Sequence, residues 1–183
     1  MNTTNGKIAA ESRRKMVRAL LALMRQYDYR EITVTQIAQE ARLSRKTFYR
    51  LFSDKDEILT LFFEGLFQEC FAQIQALEVR RYWDVVQLFF DFWEERKELL
   101  TLLRKNRLLP RVLEQSYQYA MPIFEFVRSK EIADSLALPL PYMLAYSVGG
   151  MHCMLLKWVE NDMSIPSSEL IATLKSGFMS ENI

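Results

Sequence analysis

Arg45, Lys46 and Thr47 stand together at the start of a short helical pattern, directly after Ser44, and a second short pattern precedes them across a tight turn. The whole arrangement lies within Thr33 to Lys55, TVTQIAQEARLSRKTFYRLFSDK. Two cations and a hydroxyl at the first turn of a helix suit one chemistry, hydrogen bonding to the base edges of duplex DNA. In a helix-turn-helix the second helix lies in the major groove and its first residues make those contacts.

The elements that must hold these residues can be read from their boundaries. Thr33 followed by Gln36 fits a capping box, in which the hydroxyl and the amide side chain each satisfy a free backbone N–H. Ile37, Ala38 and Ala41 then form a narrow apolar face for close helix packing. Ser44 is the expected N-cap of the second helix. Phe48, Leu51 and Phe52 recur at helical spacing to face inward, which turns Arg45, Lys46, Tyr49 and Arg50 outward. Ser53 is expected to cap the next helix, with Asp54, Asp56 and Glu57 near its first turn, where negative charge suits the helix dipole. Upstream, Met16, Leu20, Leu23, Met24 and Tyr27 mark an amphipathic helix over residues 13–27, and the polar start MNTTNGK reads as frayed.

These residues together resemble the N-terminal domain of the TetR (tetracycline repressor-like) family of bacterial transcription regulators. The likeness runs from the first helix stripe through ITVTQIAQEARLS to TFYRLFSDKDEIL, about fifty residues. It implies that Arg45, Lys46, Thr47 and Arg50 contact bases, and that Thr35, Ser44, Tyr49 and Lys55 contact phosphates and set register. Arg13, Arg14 and Lys15 are further phosphate candidates. One position departs from the family pattern, which has glycine in the turn where this chain has Arg42. Glycine there serves an unusual backbone angle, so Arg42 implies either a different turn or some strain.

Charge is distributed as this reading requires. Residues 7–55 hold twelve basic and five acidic side chains, a surplus of seven, whereas the whole chain carries only +1. The remainder is therefore acidic by six. A basic end joined to an acidic one is the asymmetry expected of a DNA-binding domain attached to something else.

Other function classes find little support. A lone histidine, His152, and two distant cysteines, Cys70 and Cys153, do not make a zinc site of the usual kinds. No glycine-rich phosphate loop or G-x-S-x-G elbow occurs, and the adjacent pair Glu94-Glu95 diverges on a helix. The chain is read as a non-enzyme with no metal and no cofactor. Apolar runs fall short of the roughly 18 residues that span a bilayer, so no membrane partner is expected, and the two cysteines suit a reduced cytoplasm.

After Lys55 the helical pattern continues, with no proline before Pro110, and predicts an all-α chain of about nine helices. Expected spans are 54–78, 82–95, 97–105, 109–127, 141–161 and 170–178, with Pro110 and Pro122 starting or bending helices and a break at 136–141. The domains are placed at 1–53, for DNA binding, and 54–183, for effector binding and dimerisation. Residues 62–126 hold fourteen of the chain's twenty-three aromatics. Adjacent pairs such as Phe62-Phe63 and Phe89-Phe90 cannot all face one core, so part of this set lines a cavity, lines an interface, or simply packs. The resemblance implies a small apolar or amphipathic effector, and Phe63, Phe67, Phe89, Trp93, Tyr117 and Phe124 are the candidate lining. Glu94, Arg107 and Tyr117 are candidate polar anchors.

Gly149-Gly150 inside a helix costs roughly 1 kcal/mol per glycine relative to alanine, a cost explained most easily where another backbone packs close. With the family's habit of pairing its last two helices, this gives a homodimer through Gly150, Met154, Trp158, Leu170 and Leu174. Two recognition helices ~34–36 Å apart would then read a palindrome. The function implied is an effector-released repressor acting as a homodimer. The alternative is a TetR-like protein whose larger domain docks a protein partner instead of a small molecule.

Overall fold

The computed structural model describes residues 2–78, 81–127 and 140–179. Among them nine α-helices occur and no strand, in agreement with the all-α reading. The helices are α1 (Asn2–Gln26), α2 (Val34–Glu40), α3 (Arg45–Leu51), α4 (Lys55–Ala76), α5 (Tyr82–Glu94), α6 (Lys97–Lys105), α7 (Leu109–Val127), α8 (Leu140–Glu160) and α9 (Ser167–Met179), with a 3-10 turn at Tyr29–Glu31. Most of the break expected at 136–141 lies outside the described residues.

The chain divides into two compact units, Met1–Gly65 and Leu66–Ile183. The division falls later than the 53/54 boundary read from the sequence. The first turns of α4 belong to the smaller unit, where Ile58, Leu59 and Phe63 are almost wholly buried.

In the smaller unit, Met16, Leu20 and Met24 of α1 are buried, as are Ile37 and Ala38 of α2 and Phe48 of α3. α1 packs along α2 and touches α3, and the alanines at 38 and 41 let the helices approach. α1 begins at Asn2, eleven residues before the expected helix start at residue 13 and within the segment read as frayed. Among its added residues, Gly6 to Glu11 are exposed or half-buried, and Ser12 is buried, its hydroxyl donating back to the Ile8 carbonyl.

The helix starts follow side-chain chemistry. Thr33 and Gln36 form the expected capping box, and Ser44 Oγ accepts the Thr47 amide at 3.0 Å. α4 corrects one expectation. Asp54, not Ser53, is its cap: Asp54 accepts the Glu57 amide, and the Glu57 carboxylate reaches back to the Ser53 N–H. A carboxylate one residue nearer the helix is the better acceptor, and Ser53 contributes only its backbone.

The hydrogen-bonded turns that close three of the helices were not foreseen. α2, α6 and α8 each close with paired bonds from the two residues beyond the cap to carbonyls of the last turn. In each the first of those residues is left-handed and is not glycine: Arg42 (φ 55°), Arg107 (φ 59°) and Asp162 (φ 55°). The motif normally takes glycine there. No glycine in the described chain has positive φ. Arg42 therefore keeps the left-handed turn for which the resemblance implied glycine and bears that backbone itself.

In the larger unit α5 packs on α9, and α7 lies along α8. Ser167, at the start of α9, is buried with its hydroxyl between the Asp91 and Glu94 carboxylates, and its N–H donates to Glu94 at 3.2 Å. Two acids thus meet the positive end of the last helix, which begins three residues earlier than its apolar stripe suggested. Arg104 of α6 donates to the Val159 carbonyl at 2.7 Å and closes the end of α8. Trp158 is buried against Phe90, and its indole N–H donates to the Ile165 carbonyl.

Candidate nucleic-acid interface and effector cavity

α3 is two turns long and rests on one buried side chain, Phe48, which packs on Phe52. Anchoring a short helix by one face leaves the opposite face free. Arg45, Lys46, Tyr49 and Arg50 are all exposed, and the three cations form no ion pair within the described residues. Surface cations elsewhere in this unit do pair, Arg14 and Arg18 both reaching Glu11. An exposed helix face with three unneutralised cations is unfavourable by self-repulsion and suits a polyanion.

The other expected contacts divide into two groups. Thr35, in the first turn of α2, and Tyr49, 55% exposed, are free to reach a phosphate. Ser44 and Thr47 are tied to each other: the Ser44 hydroxyl caps α3 and lies 2.9 Å from the Thr47 hydroxyl. Each retains acceptor capacity but acts first as structure.

Lys55 differs most from expectation. Its ammonium donates to the carbonyls of Tyr29 (2.7 Å), Ile32 (2.9 Å) and Arg30 (3.0 Å), and lies 4.6 Å from the Tyr29 ring centre. An ammonium has three N–H donors, and all three are committed. Lys55 braces the 3-10 turn against the start of α4, and the Tyr29 hydroxyl completes the link by donating to Asp56. Burial pulls the Lys55 pKa below its ordinary value, against the opposing influence of Asp56 and Asp28. The expected phosphate contact is therefore corrected to a structural clamp. The sequence carried no sign of it, because the acceptors are backbone atoms more than twenty residues away.

The larger unit holds a cavity of about 280 Å³. Its walls come from α4 (Phe67, Cys70, Ile74), α5 (Tyr82, Val85, Phe89), α7 (Ser116 to Val127) and α8 (Met143 to Met151). Three expected residues line it: Phe67, Phe89 and Phe124. Three do not. Phe63 and Trp93 are each 1% exposed and packed in the core, and Tyr117 is 46% exposed with its hydroxyl 3.4 Å from the Ala145 carbonyl. None of the suggested polar anchors lines it either, since Glu94 holds Ser167 and Arg107 occupies the left-handed turn after α6. Sequence reading missed Cys70, Ser116, Tyr119 and the α8 wall. Their small or mixed character carried no signal until α7 and α8 were paired.

The residues expected at a subunit interface also separate. Gly150 is exposed, and Met154, Leu170 and Leu174 are half-buried, whereas Trp158 is 3% exposed and fully engaged within its own unit. Along α8, Tyr142 (73% exposed), Tyr146 (70%), Gly150 and Cys153 form one open face. A Cβ built on Gly149 or Gly150 would meet nothing within 4 Å. Among the described residues, then, no close packing explains the glycines.

No described helix is long and apolar enough to cross a membrane, and the described residues hold no acid, His or Cys cluster able to bind a metal. Residues 17–60 match the model of bacterial regulatory proteins of the tetR family, a span that holds the capping box, α3 and the start of α4. The chain is 28% identical over 120 residues to the HTH-type dhaKLM operon transcriptional activator DhaS of Lactococcus lactis subsp. lactis (strain IL1403), covering 60% of this chain and 64% of that protein. It is 35% identical over 78 residues to the HTH-type transcriptional regulator HbdR of Aromatoleum sp. (strain CIB), covering 40% of this chain and 34% of that protein. Each match spans less than two thirds of the relative's own length. No solved structure gives a significant match.

Proposed function

We propose, from the premise that the chain belongs to the TetR family of bacterial regulatory proteins, that it is a transcription regulator which binds a palindromic operator as a homodimer and leaves it when a small molecule occupies the larger unit. The observation that carries the reading is the exposed, unpaired cationic face of α3, with Arg45, Lys46 and Arg50 beside Tyr49. Arg45 and Lys46, at its first turn, take base edges, Arg50 takes a base or a phosphate, and Tyr49 and Thr35 take phosphates. The two free cysteines suit a reduced, cytoplasmic setting.

Dimerisation is supported by the open face of α8 and the half-buried leucines of α9. Gly150 on that face, with no described atom within 4 Å of a Cβ built there, lets a second helix approach the backbone. Release would follow from α4, a single helix that contributes Phe67, Cys70 and Ile74 to the cavity wall and begins at the Lys55 clamp. An effector that binds better to the DNA-incompetent spacing of the two recognition helices lowers operator affinity by that difference.

Repression follows from the family resemblance. The opposite sign has one observation in its favour, the activator role in the printed name of the Lactococcus lactis relative. Selection of bound sequences from random DNA tests the core of the proposal. The expected outcome is a palindrome whose half-sites lie about one helical turn, ~34–36 Å, apart; enrichment of no sequence, or of a single unrepeated half-site, overturns it. Deleting the gene and measuring transcripts beside the genomic sites then gives the sign.

A further inference from the structure

Seventeen of the described residues line the cavity in the larger unit, and none of these seventeen is Asp, Glu, Lys, Arg or His. The ionisable groups among these described lining residues are two tyrosines and the Cys70 thiol. Burial pushes that thiol up to about 12, so it is neutral and neither a counter-ion nor a nucleophile. The aromatic wall is ordered, with Phe67 and Tyr119 stacked at 5.8 Å and 25°.

Two hydroxyls interrupt this surface. Ser116 shares the cavity face of α7 with Tyr119 and Ala120, and its hydroxyl donates to the Val112 carbonyl at 2.7 Å. With its proton committed, Ser116 offers a ligand only an acceptor. Ser147 lies one turn from Met143 and one turn from Met151 on the cavity face of α8, and makes no hydrogen bond within the described residues. It can donate or accept.

We infer that the ligand of this cavity is a largely aromatic molecule that carries no anionic group and has one hydroxyl or carbonyl group, which Ser147 and Ser116 orient. The inference rests on the small-molecule reading above and gives the chemical class it left open. A carboxylate or phosphate would be stripped of water among described lining residues that return no opposite charge, which the protein can meet only by excluding it or neutralising it. The volume admits on the order of ten to fifteen non-hydrogen atoms.

Equilibrium dialysis of the full chain near neutral pH against naphthalene, 2-naphthol and 2-naphthoate tests this, since the three share a ring system and differ in the polar group. The expected result is that 2-naphthol binds and 2-naphthoate binds at least about 30-fold more weakly. Ser147→Ala is expected to weaken 2-naphthol about five- to tenfold and leave naphthalene unchanged. Ala120→Trp, which fills the cavity, is expected to abolish binding of both, with unchanged helical circular dichroism as the control for folding. Naphthoate bound as tightly as naphthol overturns the charge argument alone and leaves the small-molecule reading standing. A naphthol preference that survives Ser147→Ala overturns the hydroxyl anchor. Binding of none of the three, or binding that persists in Ala120→Trp, overturns both the inference and the small-molecule reading.

Discussion

Replacing Lys55 with methionine separates a structural brace from a phosphate contact. The substitution keeps most of the stem and removes the ammonium. Two of its three acceptors, the carbonyls of Tyr29 and Ile32, are part-buried, and the third, on Arg30, is exposed. Water can replace the cation at Arg30 at little cost. The other two bonds are charge-assisted, each with a net value of about 1.5–3 kcal/mol. Since burial already disfavours this ammonium, the low end of that range applies. The loss comes to about 2–3 kcal/mol, roughly 5–10 °C in the unfolding midpoint of a chain this size. Calorimetry measures the midpoint, and fluorescence anisotropy on the selected operator, well below that temperature and over a range of salt, measures the phosphate count. The expected outcome is a lowered midpoint with an unchanged slope of log K against log salt. A midpoint that does not move, with a slope flattened by about 0.9 per lost contact, would refute the clamp and restore the phosphate assignment.

Other substitutions probe separate parts of the argument. Arg42→Gly removes a left-handed backbone cost of about 1–2 kcal/mol and adds about 0.4–1 kcal/mol of unfolded-chain entropy, so the urea midpoint should rise by the equivalent of roughly 0.5–1 kcal/mol with the same m-value. A fall would mean that the Arg42 side chain itself stabilises the turn. Arg45→Ala should relax preference at one base pair of each half-site by about 1–3 kcal/mol and change random-DNA affinity far less; equal loss on both DNAs would place Arg45 on the phosphates. His152 is buried, its Nδ1 has no partner within the described residues, and burial lowers its pKa from 6.5. The unfolded chain therefore binds the extra proton first, and stability is lost as pH falls below about 6.5. His152→Leu should flatten urea-derived stability between about pH 6.5 and 5, and an unchanged slope there would place the titration on other groups.

Much of the smaller unit was legible because its determinants are local. The Thr33–Gln36 capping box, the Ser44 cap and the outward turn of Arg45, Lys46, Tyr49 and Arg50 each depend on residues within one or two turns of one another. The left-handed turn at Arg42 was half legible. A departure from glycine marked the position, but only the tertiary structure showed that Arg42 itself takes the left-handed backbone. The cavity was least legible. An aromatic-rich stretch cannot say which rings meet each other and which meet a space, and Phe63 and Trp93 went to the core while Phe67, Phe89 and Phe124 went to the wall.

The amino-acid order of this chain determines what nearest neighbours on a helix decide: all-α composition, helix starts, the identity of the cationic face and the charge contrast between the ends. Tertiary structure decided what depends on atoms distant in sequence. Lys55 became a clamp because three carbonyls converge on it, Trp158 became core because Phe90 and the Ile165 carbonyl reach it, and Ser147 faces a cavity because α7 lies along α8. Side-chain type and spacing state what a residue can do. Which of its donors and surfaces remain free is set only when the chain has closed around them.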